Sequence, residues 1–326
     1  MLRRRDLALA MPGLMLSGTA LSQPVPGFPA RPMRLVIPFT PGGTNDLVGR
    51  LIAERMAARL GQPMVVENRG GAGGVIGNDL VAKAAPDGHT MLLAGSGSFV
   101  ISSLVQPTLP YDPERDFSPV GFIGGSAGVI AINPRHPVNN LNELREYARR
   151  PDVRLTFATP GVGTNGHAVG AMLAVAIGAE IEFIHYRGTG PATADLIAGR
   201  VDLLSNAPAP LAPHFQSGAM RPLAVAGTRR SAVVPDVTTS VEQGFPELQA
   251  STWFAILTPG GTPRPIRGAL HAALNAVLAE PDVQSRFAAA AIDIEPSASP
   301  EAFAAFLAED RARWARVVQA ANLRAG

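Results

Sequence analysis

An apolar strand that runs straight into a glycine turn, and from the turn into a helix, is the pattern that most limits what this chain can become. Between residues 34 and 60, Leu35 to Phe39 reads as a strand and Pro41-Gly42-Gly43 as a turn. Thr44, Asn45 or Asp46 then caps the helix. The device returns at Pro160-Gly161-Val162-Gly163-Thr164-Asn165 and at Arg187-Gly188-Thr189-Gly190-Pro191. Each such turn leaves backbone N–H groups unpaired at the positive end of a helix dipole, which suits a small anion.

Around these turns, strand and helix patterns alternate. Pro24 to Pro32 is a Pro-rich extended leader. Strands follow at Met64 to Glu67 and Thr90 to Ala94, the latter ending in Gly95-Ser96-Gly97-Ser98. Between them lie a glycine loop (Gly70 to Gly74), a helix from Val75 to Ala84 and a turn at Pro86-Asp87-Gly88. A second series has strands at Gly128 to Asn133, Arg154 to Ala158, Ile181 to His185, Val201 to Leu204 and Pro222 to Ala226. Its helices are Leu141 to Arg150, Asn165 to Ile177 and Ala192 to Ala198.

Ser251 to Leu257 reads as another central strand, followed only by helices and one short strand at Ile292 to Ile294. The last helix carries Phe303, Phe306, Leu307, Trp314, Val317 and Val318 on one stripe. Helices after residue 262 have no sheet of their own, so they are expected to return to the first one. The reading is an α/β protein of two lobes, each a mainly parallel sheet flanked by helices. Lobe 1 is predicted to span 23–131 plus 251–326 and lobe 2 to span 132–250, with crossings near 131–134 and 249–252. Ligands of open α/β sheets bind beyond the carboxyl ends of strands, where these glycine turns sit.

With 326 residues, 46% of them hydrophobic and 17% charged, the chain can fill two cores and is not globally disordered. Its formal charge of +2 resides in Arg3, Arg4, Arg5 and Asp6; without them 25 basic and 25 acidic residues remain, and a nucleic-acid partner loses its support. Met1 to Ser22 reads as a signal peptide. A basic start precedes an apolar run (Leu7 to Leu16), and Ala20 and Ser22 are small residues two apart, which predicts Gln23 as the mature start. Arg4-Arg5-Asp6-Leu7 resembles a twin-arginine signal. The apolar run falls short of the ~20 residues of a membrane anchor. There is no cysteine, which excludes disulfides, thiolate catalysis and Cys-based zinc sites. The periplasm of a Gram-negative bacterium fits best.

Several motifs suggest other chemistries. Gly161-x-Gly163-x-x-Gly166 spells the dinucleotide fingerprint after a strand and before a helix. The acidic residue expected after the next strand is replaced by Tyr186 and Arg187, which suits only a 2′-phosphate. An exported NADP-dependent oxidoreductase is therefore the alternative function. Gly124-Gly125-Ser126-Ala127-Gly128 matches a hydrolase nucleophile pattern, but an apolar strand follows it where the elbow needs a helix. Six histidines are scattered without metal-ligand spacing. His167 reads equally as a ligand contact and as a capping or packing residue. Asp46 reads as an N-cap, worth about 1 kcal/mol, and also as a group that fixes the loop or meets a ligand amine or a water. Gly70 to Gly74 resembles a phosphate cradle but lacks the Gly-Lys-Ser/Thr ending.

Taken together, ordered blocks along nearly all of the mature chain resemble the Bug family of periplasmic solute receptors, the substrate-binding subunits of tripartite tricarboxylate transporters. These blocks are Pro38-Phe39-Thr40-Pro41-Gly42-Gly43 with Asp46, and Val65-Val66-Glu67-Asn68-Arg69 before the glycine cluster. Further on come Ala84-Ala85-Pro86-Asp87-Gly88, Leu109-Pro110-Tyr111-Asp112-Pro113 with Asp116-Phe117, and Gly188-Thr189-Gly190-Pro191. Trp253-Phe254 before Pro259-Gly260-Gly261-Thr262-Pro263 completes the set.

The resemblance implies a two-lobed periplasmic-binding-protein architecture, a Venus flytrap closing on a small organic carboxylate. It implies a non-enzymatic, monomeric receptor without cofactor or metal that serves membrane transporter subunits. One jaw would be Phe39, Thr40, Gly42, Gly43 and Asp46; the other would be Thr164, Asn165, Gly188 and Thr189. Ser96, His167 and Asn206 complete the candidate ligand-binding set. Backbone N–H groups and hydroxyls, rather than arginines, would hold the carboxylate, in part through water.

This chain departs from the family pattern at two places. The loop after Thr164 usually reads Ser-Ser-His and is Asn165-Gly166-His167 here, and the strand at 201–204 usually ends in Phe-Asp where Ser205-Asn206 stand. Losing that carboxylate removes a partner for an ammonium group. Amino-acid zwitterions are therefore predicted to bind more weakly than plain mono- or dicarboxylates in a calorimetric screen; aspartate or glutamate outbinding every plain acid would overturn this.

Overall fold

The computed structural model describes residues 25–106, 108–320 and 323. The expected signal segment, residues 1–22, lies outside them. The chain opens with β1 (Met33–Ile37), α1 (Thr44–Leu60), β2 (Met64–Asn68), α2 (Val75–Ala82) and β3 (Thr90–Gly95). Strand side chains alternate between faces, so a strand apolar on both faces needs cover on both. In β1, Met33, Leu35 and Ile37 enter one core and Val36 the other; in β3, Met91 and Leu93 oppose Leu92 and Ala94 in the same way.

A π-helical turn (Ser96–Ile101) and α3 (Ser102–Val105) follow, then β4 (Phe117–Ala127) and β5 (Val129–Ile132). The second series is α4 (Leu141–Ala148), β6 (Leu155–Thr159), α5 (Asn165–Ile177), β7 (Ile181–His185), α6 (Thr189–Ile197), β8 (Leu203–Asn206), α7 (Pro208–Gln216) and β9 (Arg221–Val225). The chain then forms β10 (Ser251–Pro259), α8 (Arg264–Leu278), α9 (Pro281–Ala289), β11 (Asp293–Ile294) and α10 (Pro300–Ala320).

The strands form a six-stranded sheet ordered β11-β4-β10-β3-β1-β2 and a five-stranded sheet ordered β7-β6-β8-β5-β9. Both sheets are mixed, where mainly parallel ones were expected. The βα units β1–β3 and β6–β8 pair in parallel, while β4, β5, β9, β10 and β11 pair only antiparallel with their neighbours. Apart from the short edge strand β11, the antiparallel strands are those next to the points where the chain changes sheet. α1, α8 and α9 cover one face of the first sheet, and α2 and α10 pack on the other.

Two places hold this arrangement. On β10, the indole N–H of Trp253 donates to Asp310 of α10 at 2.8 Å, and Arg313 holds the second oxygen of Asp310 at 2.8 Å. Phe303 and Phe306 pack against the Trp253 ring, so the last helix is fastened to the first sheet by a buried polar contact inside an aromatic cluster.

The second place is the passage between sheets. β5 pairs wholly within the second sheet, so the first crossing falls at Gly128, ahead of the expected 131–134. A Cβ at Gly128 would stand 2.7 Å from the Ser205 hydroxyl, so only glycine passes here without displacing that side chain. The N–H of Ala226 donates to the Gly128 carbonyl at 2.8 Å, and that of Ala250 donates to the Ala226 carbonyl at 3.1 Å. Outgoing and returning strands thus lie side by side as one narrow ribbon.

In the second lobe, Asp202 is buried just before β8, at the end away from the glycine turns. It accepts from His136 Nε2 (2.7 Å), from the Thr156 N–H and hydroxyl (2.8 Å each) and from the Arg135 guanidinium. Burial alone would raise its pKa, but these hydrogen bonds outweigh burial and hold the carboxyl well below its ordinary 3.8. A lowered folded-state pKa gives stability that is present above 3.8 and is lost as pH falls through the folded value. Asp202→Asn should cost about 2–3 kcal/mol in denaturant unfolding at pH 7, with the gap to the parent closing below about pH 4; a gap constant down to pH 2 would refute the assignment.

Candidate functional site

The glycine turns all lie at carboxyl ends of strands and face one cleft of about 1000 Å³ between the two sheets. The first corner follows β1. α1 begins after Gly43, which brings no side-chain cap, so the expected cap at Thr44, Asn45 or Asp46 does not form. Asp46 instead reaches back out of the helix. One oxygen accepts from the Gly42 N–H (3.1 Å) and Arg50 Nε (3.0 Å), and the other accepts from Asn68 Nδ2 (3.0 Å). Asn68 also donates to the Phe39 carbonyl at 3.1 Å. Burial opposes ionisation of Asp46, yet these hydrogen bonds hold its carboxyl below the usual range. Three donors from the loop, Asn68 and Arg50 hold its carboxylate, so Asp46 sets the shape of the corner.

Gly42 has φ +91°, which an L side chain rarely adopts. With the loop so held, the N–H groups of Gly43, Thr44 and Asn45 have no acceptor among the described residues. Across the cleft, α6 starts at Thr189 behind Gly188 (φ +124°), and the N–H groups of Gly188, Thr189 and Gly190 are equally unpaired among the described residues. The two corners confront each other: a Cβ at Gly188 would lie 3.5 Å from the Thr40 hydroxyl oxygen. Phe39, Thr40, Gly42, Gly43, Asp46, Thr164, Asn165, Gly188, Thr189 and Asn206 line this cleft.

Two expected residues do not. Ser96 is fully buried and its hydroxyl donates to the Ser251 carbonyl; the π-helical turn directs Gly97 and Ser98 to the cleft in its place. His167 is buried against the rings of Phe183 and His185. Its Nδ1 accepts the Gly163 N–H at 3.2 Å, and burial, helped by the nearby His185, lowers its pKa to about 4. It is a neutral packing residue beneath the 160–164 turn. Thr164 caps α5: its hydroxyl donates to the Gly161 carbonyl (2.7 Å) and accepts from the His167 N–H (3.4 Å). Its one proton is therefore committed to the turn.

Sequence reasoning missed the rest of the lining, notably Thr252 and Phe254 on β10, Arg286 on α9 and His214 on α7. Pro208 at the first helical position was a legible sign of α7. The others depend on which distant elements the topology brings together.

The lobes touch where glycine permits it. A Cβ at Gly73 would meet the Val162 carbonyl oxygen at 2.7 Å, one at Gly163 the Ser102 Cα at 3.0 Å, and one at Gly97 the Asn165 backbone nitrogen at 2.8 Å. Asn165 Nδ2 donates across the gap to the Ser251 carbonyl at 3.2 Å. The Gly163 part of the dinucleotide-like turn therefore abuts the other lobe. Pro160 fills the space beside Gly166. Ser126 lies buried within β4, not on an elbow.

A family model described as tripartite tricarboxylate transporter family receptor matches residues 48–323. The protein BugT of Bordetella pertussis is 36% identical over 315 residues, covering 95% of this chain and 96% of that protein. Among solved structures, the periplasmic binding protein BugD superposes with a TM-score of 0.83 at 34% identity, over 91% of this chain and 99% of the other. An R. palustris protein solved with adipate gives a TM-score of 0.85 at 31% identity, again over 91% and 99%.

The glycine contacts make lobe closure sensitive to a single methyl group. Small-angle scattering of Gly97→Ala should give a larger radius of gyration than the parent; equal radii would show that this contact does not limit closure.

Proposed function

This chain belongs to the tripartite tricarboxylate transporter receptor family, and we propose that it is an exported periplasmic receptor that closes on a small carboxylate-bearing metabolite. One observation carries the reading: two corners on opposite lobes present unpaired backbone N–H groups to the same cleft, with Thr40 and Gly188 face to face. Lobe 1 is residues 25–127 with 251–320, lobe 2 is 129–250, and the ribbon at Gly128, Ala226 and Ala250 is the pivot. An anion bridging both corners gains its full set of hydrogen bonds only when the lobes are shut, so ligand binding shifts the population toward closure. The adipate bound by a structural neighbour supports a carboxylate as the solute class.

The protein acts without cofactor, as a monomer, and hands its solute to membrane transporter subunits. Two residues that could carry acid–base chemistry are engaged elsewhere: Asp46 is committed to its loop, and His167 is buried and neutral. The packing of Gly163 against Ser102 leaves the dinucleotide alternative little room.

Thermal-shift screening of the mature protein against a carboxylic acid library tests this reading. A true ligand at a hundred times its dissociation constant should add about 2.7 kcal/mol of stability. Asp46→Ala, which frees the Gly42 loop, should weaken that ligand about tenfold or more. A library without a single stabilising acid would overturn the reading, and unchanged affinity in Asp46→Ala would remove the first corner from the site.

A further inference from the structure

The charges lining the cleft do not balance. Among the described residues its one lining carboxylate, Asp46, is held by Arg50 at 3.0 Å. Arg286 on α9 pairs with Asp282 at 3.2 Å. Arg187, directly before the second-lobe corner, is exposed on the cleft wall and has no acidic or carbonyl partner among the described residues.

The neighbours that could neutralise Arg187 are already occupied. Asp195, on the helix that follows, accepts from the Tyr186 hydroxyl (2.8 Å) and from Arg200 (2.7 Å). Glu182, the nearest preceding acidic residue, lies early on β7, away from its carboxyl end. His185 accepts or donates at Thr159 (2.6 Å), and burial lowers its pKa, so it brings neither a negative charge nor a competing positive one. A guanidinium at the wall of a closing cleft loses part of its hydration, and that loss is offset only if a negative group meets it. Guanidinium also suits this role geometrically, because its donor fork matches a carboxylate.

We propose that Arg187 is a specificity-determining residue that selects ligands carrying a second negative group: one carboxylate sits at the glycine corners and the other on the Arg187 guanidinium. This rests on the carboxylate reading above. It differs from a grip made of backbone groups alone, which would treat monoanions and dianions of equal length alike.

Titration calorimetry with two length-matched pairs tests it: succinate against butyrate, and adipate against hexanoate, on the parent, Arg187→Gln and Arg187→Lys. Hydrogen bonds to charged groups contribute about 1.5–3 kcal/mol, so Arg187→Gln should weaken the better dicarboxylate about tenfold to a hundredfold. The matched monocarboxylate should change less than about twofold. Arg187→Lys should recover part of the loss, and the salt dependence of dicarboxylate affinity should be steeper in the parent than in Arg187→Gln. Equal losses for both acids, or no loss for either, overturn charge selection while leaving the carboxylate reading intact. If no acid binds the parent, the carboxylate reading falls and this inference falls with it. Arg187 makes no side-chain hydrogen bond or ion pair among the described residues, so a variant with an unchanged unfolding midpoint keeps each outcome readable.

Discussion

A helix cannot satisfy its own first N–H groups, and glycine turns keep side chains from doing it for them. In this protein that deficit is placed twice, at the starts of α1 and α6, and the two deficits point into one gap. The rest of the architecture serves this opposition. Two sheets are needed because one sheet offers its strand ends on one side only. Mixed pairing is needed because a chain that leaves a sheet and returns must run antiparallel to do so beside itself. The Gly128 ribbon then joins the two units closely enough for their corners to meet.

An exposed glycine turn would be a poor site if it were free to wander. Asp46, Asn68 and Arg50 remove that freedom by tying Gly42 and the Phe39 carbonyl to the body of the lobe. On the other lobe, Thr164 and His167 do the same for the 160–164 turn through the Gly161 carbonyl and the Gly163 N–H. Residues that look from their type like ligand contacts are thus props behind the contacts. Preorganisation of this kind lowers the ordering cost of binding, which area alone does not reveal.

The corners were legible because turn chemistry is local: a strand, two glycines and a helix start can be read within a dozen residues. Helix α5 and strand β7 were read to the residue for the same reason, as each is a clean periodic run between glycine and polar stops. β4 was not legible. Pro119, Gly121, Gly124 and Gly125 interrupt it, and it exists because β10 and β11 pair along it, with glycine leaving room for His271 at Gly121 and for the Asp293 backbone at Gly124. α7 was obscured by Pro213, which sits inside the helix and reads as a breaker, whereas Pro208 and Pro210 lie in the first turn and sacrifice no helical hydrogen bond. Ser96 was misplaced because a π-helical turn shifts its phase, and of the two readings open for His167 the packing one holds because a cluster formed with β7 buries it. Neither event leaves a trace within a short window of sequence.

Main-chain donors are common to every amino acid, and this has an evolutionary consequence. Mutation can repaint the walls between the corners, exchanging Asn206, Thr252 or Arg286 for other shapes and charges, without erasing the main-chain donors proposed to hold an acid group. Such a scaffold separates the part that recognises a chemical class from the part that discriminates among its members, so gene duplicates could drift to new nutrients while never passing through a form that grips nothing.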